Sequence, residues 1–283
     1  MNRPFPRTDL ALEAHRVRAQ DARLEGVTVT ETDRAGFHLI TVEVTSPAAS
    51  KELCKPIGVY HTVTLEPVLR REDEAFSSAV GLLSSLLREL LPEEPDSTVF
   101  VVGLGNRAIT PDAVGPRAVE SVLATRHLRA QSPELFSSFR PVCALAPGVL
   151  GTTGIESASL VKALVQDLQP QAVIAVDALA CCEPERLCRT IQITDSGISP
   201  GSGVGNHRDA LDRETLGVPV IALGVPTVMD VSTVSQNEAL QGLFVTPRDI
   251  DTVVADFSKL TGYAIDLALH RELSIADLDL LLS

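Results

Sequence analysis

The sequence predicts an α/β protein with three layers, in which helices cover both faces of a mostly parallel β-sheet. After about residue 97, short apolar runs alternate with amphipathic helical patterns, the order found in folds of parallel strands and crossover helices. Before that region, β-branched residues alternate with polar ones in 26–44 and 58–65, which predicts a few antiparallel strands. A chain of 283 residues accommodates one large domain. We therefore expect N-terminal strands within 25–66 and the α/β core within 97–283.

The predicted strands of the core are short and almost wholly apolar. Valine and isoleucine dominate them, and an apolar run of this length is typical of a strand buried on both faces. The runs lie at 98–103, 141–146, 172–176, 190–194 and 218–223.

Two helices flank the first of these strands. Apolar residues recur every three or four positions in 74–91, which predicts a helix with one face in the core. A second helix is predicted over 111–128, because Thr110 is a suitable N-cap and Pro111 is tolerated at the first helical position.

Three further helical segments are predicted toward the C-terminal side. Thr153 and Glu156 form a capping-box pattern that predicts a helix over 155–168. A long helix is expected from 246 to about 270, and a shorter helical segment ends the sequence. Between the last strand and the long helix, residues 231–243 fit about three turns of helix. We expect this helix to start from Ser232 or Thr233 and run through Leu240, with Gly242 as the stop.

Composition and charge exclude several classes of protein. The formal net charge is −13, which argues against direct binding of nucleic acid, because neutralising phosphates needs a basic face. Residues 1–20 lack the apolar region of a signal peptide, and no window approaches the roughly 18 apolar residues of a membrane span. The five cysteines are odd in number and form no C-x-x-C pair, so we expect a reducing, cytoplasmic compartment and neither a zinc site nor a disulfide framework.

Three acidic residues lie near the carboxyl ends of predicted strands, where functional residues gather in open α/β sheets. Asp177 directly follows the apolar run AVIAV, and a carboxylate there needs a partner, water or a chemical role. Asp112 follows the first strand after a loop, although an acid in the first turn of a helix is also favoured by the helix dipole. Asp195 precedes Ser196 and Gly197, which is more typical of a turn residue than of a catalyst.

A pair of neighbouring carboxylates offers a route to hydrolysis. Two such groups cannot both ionise freely, so the pair titrates jointly, and together they can activate a water and protonate a leaving amine. Two other common hydrolytic signals, a G-x-S-x-G elbow and an H-E-x-x-H pair, are missing from the sequence, and the six histidines are scattered.

Two glycine-rich stretches invite a second interpretation. Residues 103–108 match the G-x-G-x-x-G/A fingerprint of dinucleotide sites, but the predicted helix starts too late for a pyrophosphate to lie on it. Residues 197–206 either present backbone amides to a peptide or an oxyanion, or form a tight mobile loop.

Longer stretches of this sequence resemble the germination proteases of bacterial spores. The first is Arg7-Thr8-Asp9-Leu10-Ala11, and the others follow in order through most of the chain after residue 96. Runs of this length are highly specific. The matching stretches after the first are 101–128, 140–156, 172–180, 190–206, 215–230 and 245–251.

The resemblance implies a function and a site. The family's two essential aspartates fall on Asp112, in ITPDAVGP, and on Asp177, in AVDALA. It implies an atypical aspartic endopeptidase without a cofactor, on a fold similar to hydrogenase maturation endopeptidases (phosphorylase/hydrolase-like). It further implies a homotetramer in the forespore or spore core, with small acid-soluble spore proteins as substrates. The sequence differs from the typical member in one respect, because only residues 231–243 connect the VPTV stretch to the last long helix.

The resemblance also implies a zymogen with a short propeptide. The family prefers an acidic residue before the cut, then a large apolar residue and alanine, and Thr8-Asp9-Leu10-Ala11 has that order. We therefore expect residues 1–9 to be a propeptide and 10–283 a single peptidase domain. The alternative is that Asp9 caps a helix over 10–19.

Two alternatives to the aspartic mechanism stay open at this point. Asp112, Asp177 and a histidine, with His207 as the candidate, would suit a metal-dependent peptidase, because carboxylates serve both kinds of chemistry. A protein that kept the fold and binds without catalysis is the other alternative, since a related paralogue family shares the core.

Overall fold

The computed structural model describes residues 7–18, 24–202, 205, 208–235, 240 and 242–282. Its strands are β1 Val27–Arg34, β2 Phe37–Val44, β3 Gly58–Thr64, β4 Val99–Gly103, β5 Val142–Leu145, β6 Ala172–Cys181, β7 Thr190–Thr194, β8 Val220–Asp230 and β9 Phe244–Val245. Its helices are α1 Ala11–Arg18, α2 Pro47–Leu53, α3 Glu66–Leu69, α4 Ala75–Leu90, α5 Val114–Val119, α6 Arg126–Gln131, α7 Pro133–Phe136, α8 Leu150–Thr153, α9 Ser157–Leu168, α10 Arg213–Leu216, α11 Ile250–Leu269 and α12 Ile275–Leu281. None of these helices combines the length and the apolar character needed to cross a membrane.

The strands that the structure describes form one sheet, in the order β1-β2-β3-β7-β8-β6-β4-β5, with β9 paired to β8. The four strands β5, β4, β6 and β8 are parallel and form the core of the sheet. The antiparallel strands β1, β2 and β3 extend it through β7. The predicted α/β class and the predicted N-terminal antiparallel strands are therefore confirmed.

Alternate residues of the central strands point into two apolar layers, as the period of two requires. On one face, Val101 and Ile174 pack with helices α4 and α11, which contribute Leu83 and Phe257 among others. On the other face, Phe100, Val102, Val173 and Ala175 pack with Val161 and Val165 of α9. Helices cover both faces, as the three-layer prediction required.

The predicted helix over 111–128 is wrong, because the structure breaks it into three pieces. Thr110 does not cap a helix; it begins a 3-10 turn that ends at Asp112, and its hydroxyl donates to the Asp251 carboxylate at 2.9 Å. α5 then ends at Val119, and the N–H of Leu123 donates to both carboxylate oxygens of Asp266, at 3.0 and 3.2 Å. A buried acid from α11 thus takes a backbone donor that a continuous helix would use internally.

The predicted capping box at the start of 155–168 is also wrong. Glu156 occupies the N-cap position of α9, but its side chain makes no cap hydrogen bond. The Thr153 hydroxyl instead accepts from the Ile155 N–H at 3.1 Å, beside Gly154 in the left-handed region at φ 72°. The helix therefore begins two residues later than predicted.

Two strands run further than the apolar pattern indicated. β6 continues to Cys181, so Asp177 lies within the strand and not at its end. The pairing of β6 with β4 stops at Val176 and Gly103, whereas its pairing with β8 continues through Asp177 and Gly224. Asp177 is therefore the first residue of β6 beyond the end of β4.

The segment 231–243 does not begin as the predicted helix. Asp230 caps a 3-10 turn over Val231–Thr233, accepting from the Ser232 N–H at 2.8 Å, and β9 then returns antiparallel to β8. Residues 236–239 and 241, on which the rest of that prediction falls, lie outside the described residues. The following long helix, α11, starts four residues later than expected.

Candidate active site

Asp177 occupies a buried position with an open side. Its residue is only 4 % exposed, and its carboxylate accepts a hydrogen bond from the Ala178 N–H at 2.9 Å. Because β4 ends opposite Val176, none of the described strands covers the β4 side of Asp177. The carboxyl group lines a cavity of about 400 Å³ instead.

Asp112 reaches the same cavity because glycines let its turn approach the sheet closely. A Cβ on Gly105 would collide with the Asp112 carbonyl, and a Cβ on Gly115 would collide with the carbonyls of Leu104 and Val176. The Asn106 N–H then donates to the Asp112 carboxylate at 2.7 Å. The glycine-rich stretch 103–108 thus serves close packing of backbone on backbone. This role is different from the dinucleotide motif that it resembles.

The two carboxyl groups are electrostatically coupled. Burial raises the pKa of Asp177 well above its usual range, and the nearby Asp112 carboxylate raises it further. Burial also raises the pKa of Asp112, while the hydrogen bond from Asn106 and the charge of Arg208 lower it. Such a pair holds one proton more readily than none, with Asp177 as the protonated member. The arrangement can therefore supply both a general base and a proton donor.

Two residues at this cavity were missed by sequence reasoning. Arg208 lowers the pKa of both aspartates and forms an ion pair with Glu156 at 3.5 Å. Thr227 is the extra residue of a β-bulge in β8, between the partners of Leu179 and Ala180, and it also lines the cavity. Among the described residues its buried hydroxyl has no hydrogen-bond partner. A bulge that aims a side chain into a site leaves no signal in the local sequence.

The helix expected over 10–19 is present as α1, Ala11–Arg18, but Asp9 does not cap it, so that part of the alternative is wrong. Its carboxylate accepts from the Ala180 N–H at 2.8 Å and from the Ser202 hydroxyl at 2.6 Å, and its own N–H donates to the Ala180 carbonyl at 2.9 Å. Asp9 also lines the cavity of the aspartate pair, and its charge contributes to the raised pKa of Asp177.

The residues on both sides of the bond between Asp9 and Leu10 are held by side chains from other parts of the chain. Lys55 donates to the Asp9 carbonyl at 2.8 Å, and the Gln192 side chain accepts from the Ala11 N–H at 2.8 Å. Leu10 is fully buried in an apolar pocket. That pocket is formed by Leu179, Cys181 and Met229, with Leu187 and Ile198 at its edge.

Three candidates from the sequence remain, namely Asp195, the glycine-rich stretch 197–206 and His207. Asp195 accepts from the Val59 N–H at 2.7 Å, which is a structural role and agrees with its interpretation as a turn residue. In the glycine-rich stretch 197–206, Pro200 and Gly201 line the cavity. His207 lies outside the described residues. Within the described ranges, no three His, Cys, Asp or Glu side chains are grouped so that they could hold a metal ion.

The fold and the site together define a class, an α/β protein with a coupled carboxylate pair on a cavity beside the central parallel strands. Comparison with known proteins gives the family. Residues 7–240 match the family model for the germination protease, and the chain belongs to that family. It is therefore a peptidase of spore germination.

Individual relatives agree with this assignment. A germination protease of Clostridium perfringens strain SM101 is 36 % identical over 317 aligned positions, covering 96 % of this chain and 98 % of the relative. That of Caldanaerobacter subterraneus subsp. tengcongensis is 37 % identical, with 98 % of each chain covered. That of Geobacillus sp. strain WCH70 is 43 % identical over 82 % of this chain and 65 % of the relative.

A separate comparison with solved structures finds the hydrogenase maturation protease HycI from Thermococcus kodakarensis KOD1. The match has a TM-score of 0.38 and 17 % identity, and it covers 64 % of this chain and 98 % of HycI.

Proposed function

We propose that this protein is an endopeptidase that cuts small acid-soluble spore proteins at germination, with Asp112 and Asp177 as its catalytic pair. The observation that carries the proposal is the coupling of two carboxyl groups on one cavity wall, one of them buried. The less buried Asp112, which the Asn106 N–H stabilises as an anion, takes a proton from the attacking water. Asp177, which burial keeps protonated, donates to the leaving amine.

The same geometry supports a zymogen that cleaves its own chain between Asp9 and Leu10. The segment around this bond lies against β6 beside the aspartate cavity, with its acidic side chain, its carbonyl and its leucine each held by separate partners. In this arrangement residues 1–9 form the propeptide, and the Asp9 carboxylate raises the pKa of Asp177 until the propeptide leaves. Assembly as a homotetramer and residence in the spore core are proposed from the family resemblance alone.

A digest tests the catalytic proposal. The purified protein, before and after mild acid incubation, is mixed with a purified small acid-soluble spore protein, and the fragments are identified by mass spectrometry. We expect a specific cut after an acidic residue and before a large apolar one. Activity that persists after exhaustive chelation excludes a metal-dependent mechanism, whereas activity that chelation abolishes and a metal ion restores contradicts the two-aspartate mechanism. The absence of any specific cut would favour a binding protein.

A second experiment tests the zymogen. Mass spectrometry of the recombinant chain should reveal a species that begins at Leu10, and Asp177→Asn should remain uncut. An enzyme that is active on its substrate with residues 1–9 still attached would contradict the proposal. The same preparations, measured by light scattering, report the number of subunits.

A further inference from the structure

Glu13 is a buried acid that the cleavage mechanism does not use. It is the third residue of α1 and is 0 % exposed. Its two carboxylate oxygens accept from the N–H groups of Cys182 and Glu183, at 2.8 and 2.9 Å. These two residues immediately follow the end of β6, the strand that carries Asp177. A carboxylate in such a place is normally paired, because an unpaired buried charge is costly.

In the uncut chain a hydroxyl from the propeptide is a further partner of Glu13, beside the Cys182 side chain. Thr8 donates its hydroxyl hydrogen to Glu13 and accepts in turn from the Leu10 N–H at 3.0 Å. Because α1 begins at Ala11, Leu10 stands at the N-cap position and Glu13 at N3. In a capping box, the acid at N3 bonds directly to the N–H of the N-cap residue. Here the Thr8 hydroxyl stands between the two groups.

Hydrolysis of the Asp9–Leu10 bond would create a new charge, and release of residues 1–9 would then remove that hydroxyl. The bond between the Asp9 carbonyl carbon and the Leu10 nitrogen breaks, and water supplies a hydroxyl to the carbon and a proton to the nitrogen. The new carboxylic acid ionises, and the amine takes up that proton to become an ammonium group. We propose that this α-ammonium of Leu10 replaces the Thr8 hydroxyl and pairs with the Glu13 carboxylate, a step that rests on the self-cleavage proposed above.

The surroundings keep the Leu10 nitrogen near Glu13 after the cut. The leucine side chain is buried in its apolar pocket, and Gln192 holds the N–H of the next residue, Ala11. Neither contact involves residues 1–9. The ammonium is a stronger hydrogen-bond donor to a carboxylate than the hydroxyl it replaces, because it is charged. Glu13 is therefore a positioning residue that ties the mature N-terminus to the end of the catalytic strand.

Several charged or titratable groups surround Glu13 and affect its pairing with the new ammonium. Burial raises the pKa of Glu13, and the hydrogen bonds from Thr8, Cys182 and Glu183 lower it. Lys55 is the cation that competes with the new ammonium. Burial lowers its pKa, and the charges of Asp9 and Glu13 offset part of that lowering. Glu183 is itself paired with Arg16 at 2.9 Å and with Arg186 at 3.3 Å. Within the part of the chain that the structure describes, the thiols of Cys181 and Cys182 are further titratable neighbours.

The test separates the ion pair from self-cleavage. A removable carrier protein is fused directly to Leu10, so that the carrier's own protease exposes a free Leu10 terminus. The matched control carries one extra serine before Leu10, which moves the ammonium away while Glu13 stays in place. Glu13→Gln is made in both forms. The α-amine is labelled by reductive ¹³C-methylation and titrated by NMR.

We expect the pKa of the Leu10 α-amine to lie above the ordinary range of about 7.7–8.0 in the chain that has Glu13 and starts at Leu10. Its acylation at about pH 6.5, below both pKa values, should be about tenfold slower than in the other three proteins, which corresponds to a pKa raised by about one. An ordinary pKa and equal acylation rates in the Leu10 and serine-extended chains would overturn the ion pair, even if Glu13→Gln fails to fold. Self-processing is tested separately, by mass spectrometry of the full-length chain. A full-length chain that never loses residues 1–9 would overturn self-processing and leave the result for the ion pair unaffected.

Discussion

Two buried aspartates, Asp177 in the sheet and Asp266 in α11, show that burial alone does not mark a catalytic acid. Burial raises the pKa of both, in the case of Asp266 to about 8. Asp266 is 0 % exposed, and both of its carboxylate oxygens accept from the Leu123 N–H. It is not among the residues that line the aspartate cavity. Asp177 has a second carboxylate beside it and open space in front of it. The catalytic candidate is therefore recognised by its coupled partner and its cavity.

The largest effect is expected when either member of the coupled pair loses its acidity. Asp112→Asn and Asp177→Asn should each lower the cleavage rate by about 10²–10⁴-fold, because the amide can neither accept nor deliver the catalytic proton. The rate is measured on a small acid-soluble spore protein, with circular dichroism to verify folding. Asp195→Asn is the control and should stay near the wild-type rate. A folded Asp177→Asn protein with normal activity would remove the distinction between Asp177 and Asp266.

The next prediction concerns the close approach that brings Asp112 to Asp177. Gly115→Ala places a methyl group against the Leu104 and Val176 carbonyls, so the turn that carries Asp112 must move. We expect a loss of stability of about 1–3 kcal/mol and, if the displacement reaches about 1 Å, a loss of activity of about 10²-fold. Urea unfolding and the cleavage assay measure the two effects. Gly81→Ala, at a position where a Cβ meets nothing within 4 Å, is the matched control and should leave both unchanged or raise stability slightly.

Replacing Asp266 should have the opposite result, a lower stability with an unchanged cleavage rate. Asp266→Ala leaves the Leu123 N–H without its acceptor, which should lower the free energy of unfolding by about 1–3 kcal/mol. Cleavage per folded molecule should stay normal. A specific loss of activity in protein that is still folded at the assay temperature would show that Asp266 takes part in the reaction after all.

A final prediction sharpens the comparison through pH. With a folded pKa of about 8 against the ordinary 3.8, Asp266 binds more protons in the folded state than in the unfolded state between these values. Its contribution to stability is therefore fully present below about pH 4 and is lost as the pH rises toward 8, by at most about 1.4 kcal/mol per pH unit. Asp266→Asn keeps an acceptor for Leu123 and does not titrate. We expect its stability relative to the wild type to improve steadily from pH 4 to pH 8 in urea unfolding, and a constant difference would contradict the raised pKa.

The sequence by itself determined the features that depend on neighbouring residues. Valine-rich runs specified the buried central strands, because only a strand covered on both faces can be apolar throughout. The regular spacing of apolar residues located α4 to within one residue at each end. Asp112 and Asp177 were both identified as candidates from their positions after such strands, and the structure brings them to one cavity. Their catalytic role itself stays a proposal.

Only the tertiary structure decided the features that depend on residues far apart in the chain. Asp266 interrupts a helix that Thr110 and Pro111 predict, since it takes the N–H of Leu123 from a position 143 residues away. Arg208 and the bulged Thr227 face the aspartates because β8 and the loop before it lie beside β6. Asp9 satisfies a cap pattern, yet its carboxylate binds Ala180 and Ser202 instead. Local preferences are worth about 1 kcal/mol or less, and a buried charge or an unsatisfied backbone donor outweighs them.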